Sequence, residues 1–191
     1  MRVITGTAKG RKLASVPGQS TRPITDRVKE ALFNILAQDV ANARVLDLFA
    51  GTGSVGIEAL SRGAREVWFV DREWQAVRTI KANLEATGLA ARARVVRQDA
   101  FRLLRQVAGR EAFDIVYVAP PQYQGLWAKA LAALDEADVL APGAVVVAQI
   151  HPKEYAELPL ARLRLADRRR YGSTELCFYR VAEPHEPQPG G

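Results

Sequence analysis

Ten residues, Asp47 to Gly56 (DLFAGTGSVG), set Gly51, Gly53 and Gly56 in G-x-G-x-x-G spacing between an apolar run and a helical pattern. Strand, glycine turn and helix in that order make a cradle for a nucleotide-type ligand, because backbone N–H groups and the helix dipole face it. Gly51 and Gly53 permit backbone conformations and a close approach that a Cβ obstructs. Asp71, at the end of the next apolar run and twenty residues beyond Gly51, is placed to bind both hydroxyls of a ribose. Further along, VYVAPPQYQG (116–125) carries another apolar run into two prolines and an aromatic residue.

The glycine spacing also fits NAD. Asp47, just before the loop, would repel a pyrophosphate but attract the ammonium of a methionine moiety. Asp99 closes the third apolar run, where a carboxylate can accept from an adenine amino group. Each also has a structural reading, Asp47 as a brace for the loop and Asp99 as a helix N-cap. Both positions fit S-adenosylmethionine better than NAD.

These residues need a sheet to position them. ARVLDLF (43–49), EVWFVD (66–71), ARVVRQD (93–99), FDIVYV (113–118) and GAVVVAQI (143–150) read as strands, the last opened by the turn pair Pro142-Gly143. Helical patterns at 54–63, 73–88, 100–107 and 126–137 separate them, with Val77, Ile80 and Leu84 on one face of the second. Strict alternation implies βαβ units and a doubly wound, mostly parallel α/β sheet covered on both faces. The end breaks that rule. Strands at 160–171 and 174–181 are joined only by Gly172 and Ser173, a link that permits only an antiparallel hairpin. Ahead of residue 43, RVITGTAKGRKLASVP reads as a short hairpin. TDRVKEALFNIL (25–36) reads as an amphipathic helix, with Thr25 as N-cap and Val28, Leu32, Ile35 and Leu36 on one face. The organisation expected is a basic extension at 1–42, a nucleotide-binding domain at 43–181 and a disordered tail at 182–191.

At 191 residues the chain is long enough to bury a full core as one domain. No apolar run approaches the roughly 18 residues of a membrane span, and the N-terminus lacks an apolar signal-peptide segment. A single cysteine, Cys177, excludes an intramolecular disulfide and fits the reducing cytoplasm, buried in a strand beside Leu176 and Phe178. A monomer without metal or membrane is expected. No metal-ligand spacing or Ser-His-Asp arrangement stands out, and neither His151 nor His185 is assigned chemistry. The charge is uneven: residues 1–30 hold seven bases against two acids, +5 of the total +6. A segment so charged attracts polyanions.

VLDLFAGTGSVGIEALSRGA resembles the cofactor loop of Rossmann-fold methyltransferases, and VAPPQY resembles their fourth-strand amino-methylation motif, Asp or Asn, then Pro-Pro, then Tyr or Phe. With TRPITDRVKEALFNIL ahead, residues 1–181 are similar to the bacterial 16S rRNA guanine-N2 methyltransferases, the RsmD family. The resemblance implies a Rossmann-like seven-stranded sheet with an antiparallel last strand and S-adenosylmethionine as donor. Its acceptor would be a guanine of 16S rRNA, naked or in a small ribosomal subunit under assembly. It places Asp47, Gly51 and Gly53 at the methionine end, Asp71 at the ribose and Asp99 at the adenine, and adds Phe49, Arg72 and Ala100 to the cofactor contacts. Ala119, Pro120, Pro121, Gln122 and Tyr123 would form the acceptor and catalytic site. Lys9, Arg11, Lys12, Arg22 and Arg27 would grip RNA phosphates, and Arg168, Arg169 and Arg170 either add to that surface or guard a sheet edge.

A guanine amine is a poor nucleophile, since its lone pair is delocalised into the ring. Acceptors aimed at its two N–H groups hold it in line and offset the charge that develops. Prolines stiffen such a loop, and a tyrosine can stack on an extruded base. Ala119 departs from the family pattern, because alanine offers no side-chain acceptor, and Gln122 is an insertion that shifts Tyr123 by one position. Three readings stand: Gln122 or a backbone carbonyl compensates, the enzyme is slow, or the protein binds RNA and cofactor with little transfer.

Overall fold

The structure, a computed structural model, describes residues 1–18 and 23–182; Arg22 and residues 183–191, with His185 and most of the expected disordered tail, lie outside the described residues. After helix α1 (Asp26–Leu36) the chain alternates as expected: β1 (Arg44–Leu48), α2 (Ser54–Ser61), β2 (Glu66–Asp71), α3 (Trp74–Thr87), β3 (Ala93–Arg97), α4 (Ala100–Val107), β4 (Phe113–Val118), α5 (Leu126–Glu136) and β5 (Leu140–Ile150). The hairpin β6 (Leu163–Tyr171) and β7 (Thr174–Val181) follows. One seven-stranded sheet results, ordered β3-β2-β1-β4-β5-β7-β6. Only β7 runs opposite to the other six strands. The order reverses between β1 and β4, which opens a crevice at their carboxyl ends where ligands of such sheets bind.

Apolar side chains bury both faces. On one face α1, α2 and α3 cover Val45, Val67, Tyr117 and Val147; on the other α4 and α5 cover Leu46, Val70, Val116 and Val146. Val3, Ala8, Leu13, Leu32, Phe33 and Val40 belong to the first of these clusters, so the extension at 1–42 shares one core with the sheet. Among the described residues no helix is long and apolar enough to cross a membrane.

Four expectations change. The N-terminal hairpin is reduced to a single bridge, Arg2 with Lys12, flanked by Val3 N–H to Arg11 O at 2.9 Å and Gly10 N–H to Val3 O at 2.8 Å. The N–H groups of Ile4, Thr5, Thr7 and Ala8 are taken up instead by α2, at Glu58 and Ser61. Within α1 the buried arc is Val28, Lys29, Leu32, Phe33 and Leu36, while Ile35 falls outside it and is 36% exposed. Strand β5 begins at Leu140 rather than 143, with Pro142 and Gly143 inside it where its register against β4 shifts. A proline is tolerated there because β7 joins β5 only from Val145, leaving the first residues an edge.

The fourth change concerns Lys29, counted in the basic segment but wholly buried. Its Nζ donates to Arg2 O at 2.6 Å and Ser54 Oγ at 3.0 Å and lies 3.4 Å from Glu58 Oε2. Burial lowers the Lys29 pKa, and the Glu58 carboxylate opposes that shift. Glu58, also wholly buried, accepts from Ile4 N at 2.9 Å, Thr5 N at 3.0 Å and Arg62 Nε at 2.9 Å. Alongside, Gly6 passes so close to α2 that a Cβ would sit 1.9 Å from Ser61 O. The N-terminal segment is therefore moored to the helix that follows the glycine loop.

Removing one member of a buried pair leaves an uncompensated charge, at a cost of about 3–5 kcal/mol. Glu58→Ala strands Lys29 and two backbone N–H groups, so denaturant unfolding should show a loss of about that size. Lys29→Met should cost less, because Glu58 keeps Arg62 and its two backbone donors.

Candidate active site

The glycine turn leaves β1 at Leu48 and turns through left-handed backbone at Phe49 (φ 60°), Gly51 (φ 56°) and Gly53 (φ 75°), the last being the N-cap of α2. Gly56 packs α2 onto β2: a Cβ there would meet the Phe69 ring at 2.3 Å. Asp47, 1% exposed, accepts from Gly56 N at 3.1 Å through Oδ2, and among the described residues its Oδ1 accepts no hydrogen bond. Burial pushes the Asp47 carboxyl well above the usual range, and the charge of Asp71 adds to the shift. Beside it in register, Tyr117 is buried, its phenol pushed up by that burial and then by Asp47. Its OH donates to Gln149 Oε1.

Asp71 braces the same turn, accepting from Gly51 N and from Glu73 N, each at 2.9 Å. It is only half-buried. Asp99 caps α4 through Arg102 N at 2.9 Å, yet its side chain is exposed, with buried Ala100 behind it. Arg72 is exposed and paired with Glu73. Phe49 meets Phe101 edge-on at 6.3 Å, a residue that the sequence pattern did not single out. All eight proposed cofactor residues thus line the carboxyl ends of β1, β2 and β3 or the turns that follow. The three carboxylates each hold local backbone in place while keeping acceptor capacity.

The acceptor loop leaves β4 at the neighbouring strand end. Pro120 is buried, Ala119 and Pro121 are half-buried, and Gln122 and Tyr123 are exposed. Tyr123 adopts φ 60° and is 64% exposed. Its N–H donates to Glu154 Oε1 at 2.6 Å, and Glu154 Oε2 accepts from His151 N at 3.1 Å. The His151 ring lies 5.4 Å from that of Tyr123, tilted by 39°. His151, left without a role above, therefore adjoins the acceptor loop, together with Glu154. The one local signal was Glu154 three residues after His151, a capping-box spacing at the short turn Pro152–Glu154, muted because histidine is not a usual cap. Next to this pair, Trp127 stacks with Tyr155 at 6.4 Å, and the Arg168 guanidinium lies 3.3 Å over the Tyr155 ring while bonding Glu175. All three arginines are exposed on the edge strand, where Arg169 pairs with Asp167 at 2.8 Å and Arg170 donates to Gly172 O at 3.2 Å.

Of the phosphate-gripping candidates, Lys9, Arg11, Lys12 and Arg27 are exposed, and Arg22 lies outside the described residues. The basic segment is tied to the glycine turn by Asn83, whose Oδ1 accepts from Ala14 N at 2.8 Å and whose Nδ2 donates to Ala14 O at 3.1 Å and Thr52 O at 2.9 Å. Cys177 is buried, and burial pushes its thiol up to about 12, as befits a packing residue. The described residues hold no cluster of His, Cys, Asp and Glu able to bind a metal.

A family model described as "Conserved hypothetical protein 95" matches residues 1–180. The chain is 42% identical over 183 residues to the YlbH protein of Bacillus subtilis (strain 168), covering 94% of this chain and 98% of that one. It is 37% identical over 147 residues to the ribosomal RNA small subunit methyltransferase D of Haemophilus influenzae, 76% of each chain. The solved structure of yhhF from Escherichia coli has a TM-score of 0.82 at 35% identity, covering 95% of this chain and 97% of that one.

The burial of Asp47 has a thermodynamic consequence. Its folded pKa is raised, so the folded state holds the proton longer and cofactor-free stability falls as pH rises above the ordinary carboxylate range. Asp47→Asn keeps an oxygen for Gly56 N and removes the charge. Thermal unfolding should find it more stable than wild type, by a margin near zero around pH 4 that grows toward pH 7.

Proposed function

The chain belongs to the family described as Conserved hypothetical protein 95, the RsmD family of rRNA methyltransferases, and from that membership we propose that it methylates the exocyclic N2 amine of a guanine in 16S rRNA with S-adenosylmethionine as donor. The observation that carries this reading is the juxtaposition of the two loops. The glycine turn and the Pro-Pro loop leave adjacent strands, β1 and β4, at the point where strand order reverses.

The residues present fit the donor. Asp47 offers a carboxylate oxygen to the ammonium, and a bound cation offsets the cost of burying that carboxylate. Asp71 and Asp99 offer half-exposed and exposed oxygens to the ribose and adenine. When bound, the donor supplies an electrophilic methyl on a sulfonium. The chain's own part is positioning: Pro120 and Pro121 hold the backbone carbonyls of the loop stiffly, and those of Ala119 and Pro120 accept from the two N2–H groups. The ring of Tyr123 stacks on the extruded base, worth roughly 1–3 kcal/mol. Lys9, Arg11, Lys12 and Arg27 hold phosphates on a segment moored to the same glycine turn.

A second reading, cofactor and RNA binding with slow transfer, is favoured by Ala119, which brings no side-chain acceptor to the loop. Gln122 is exposed and makes no side-chain hydrogen bond to the described residues, so its amide is free to serve.

Transfer of labelled methyl into undermodified small subunits, followed by nucleoside analysis, should yield N2-methylguanosine; N6-methyladenosine or no transfer would remove the leading reading. Calorimetric titration of Asp47→Asn should show donor affinity reduced at least about tenfold, even though the variant is more stable, since a charge-assisted contact is lost. Ala119→Asn should raise turnover only modestly if the carbonyls suffice, whereas a gain of about 10²–10³ would support the slow-enzyme reading.

A further inference from the structure

We infer that Glu154 is a positioning residue of the acceptor site, fixing Tyr123 as a preset platform for the substrate base with His151 as its backing; this rests on the function proposed above. Tyr123 sits at φ 60°, a left-handed conformation that disfavours a bulky side chain. Such a conformation persists only where its surroundings impose it. Here the imposing group is one carboxylate. Through Oε1 it takes the N–H of Tyr123 at 2.6 Å, 31 residues away in sequence, and through Oε2 the N–H of His151 at 3.1 Å. Among the described residues, no other hydrogen bond ties residues 121–124 to a distant segment.

The anchor is firm because His151 directly follows Ile150, a buried residue at the end of β5. His151 Nδ1 accepts from Lys153 N at 3.2 Å, which holds the imidazole beside the Tyr123 ring. Tyr123 remains 64% exposed, so the rest of its ring is open to a base. The left-handed turn also accounts for Gln122. One additional residue between the prolines and the tyrosine would re-aim an extended loop, and the kink at Tyr123 absorbs it, much as a bulge redirects a strand. The acceptor site is thus built from two segments, the β4 loop and the turn after β5.

The test uses the full chain as Glu154→Ala, Glu154→Gln, Tyr123→Ala and the double variant Glu154→Ala/Tyr123→Ala. With undermodified small subunits, Glu154→Ala should lower kcat/KM for RNA about tenfold, the scale of one lost stacking contact. Donor affinity by calorimetry should stay within about twofold. Glu154→Gln, whose carbonyl oxygen can still accept from Tyr123 N, should recover most of the loss. The double variant should be no worse than Tyr123→Ala, because Glu154 acts through that ring. Additive losses, an equal loss of donor affinity, or unchanged kcat/KM would overturn the inference. Quenching of a 2-aminopurine base in a bound single-stranded RNA reads stacking without methyl transfer. It should weaken in Glu154→Ala and Glu154→Gln should restore it, and equal quenching in wild type and Glu154→Ala also overturns the inference. Absence of transfer by wild type with quenching that depends on Glu154 would overturn the proposed function while leaving the platform intact.

Discussion

A single buried carboxylate, Glu58, organises the arrangement. It takes two backbone N–H groups from the N-terminal segment, the guanidinium of Arg62 at the end of its own helix and the ammonium of Lys29 from α1. Buried charges survive only when paired and hydrogen-bonded, so three separate pieces of chain must meet at one point. The consequence reaches the site. Lys29 also binds Ser54, the first residue of α2, and Asn83 binds both Ala14 and Thr52. The basic segment and the glycine turn are therefore held in one frame. Lys9, Arg11 and Lys12 are thus carried on a segment fixed to the domain rather than on a loose arm.

The site itself reuses the same few groups. Asp47, Asp71 and Asp99 each accept from backbone N–H groups of the turns they shape. Each therefore preorganises the loop that a ligand would meet, and the ligand need not order it. The uncompensated burial of Asp47 makes the cofactor-free protein less stable than it could be. A carboxylate left in that state is one that a bound cation would stabilise. In the Pro-Pro loop the rigidity comes from proline rings and one carboxylate grip rather than from a polar side chain at residue 119.

Much of this was legible along the chain. The apolar runs of β1, β2 and β4 are nearly continuous because these parallel strands are buried on both faces, and each is followed by a helical pattern. The Gly172-Ser173 link allowed one geometry only, and β6 and β7 adopt it. Thr25 caps α1 through a local bond to Val28 N at 3.3 Å. The glycine turn with Asp47 and Asp71 was legible for the same reason, since its parts lie within one βαβ unit. Ile35 was misplaced and Phe33 overlooked because the buried arc of α1 is set by what α2 and the N-terminal segment press against it. The start of β5 was missed because Pro142 reads as a breaker unless one knows that its strand is still an edge there.

What amino-acid order determined by itself was periodic or local: the alternation of elements, the caps and the glycine turn, where each residue's neighbours in space are its neighbours in sequence. What only the tertiary structure decided was the use of charge and of lone polar residues. Lys29 reads as one more surface base until α2 delivers Glu58 to it, and Glu154 reads as a loop acid until β4 and β5 bring Tyr123 within 2.6 Å. The physical reason is range: burial and hydrogen-bond partnership depend on contacts between distant segments, and a charge without its partner carries no mark of where it will lie.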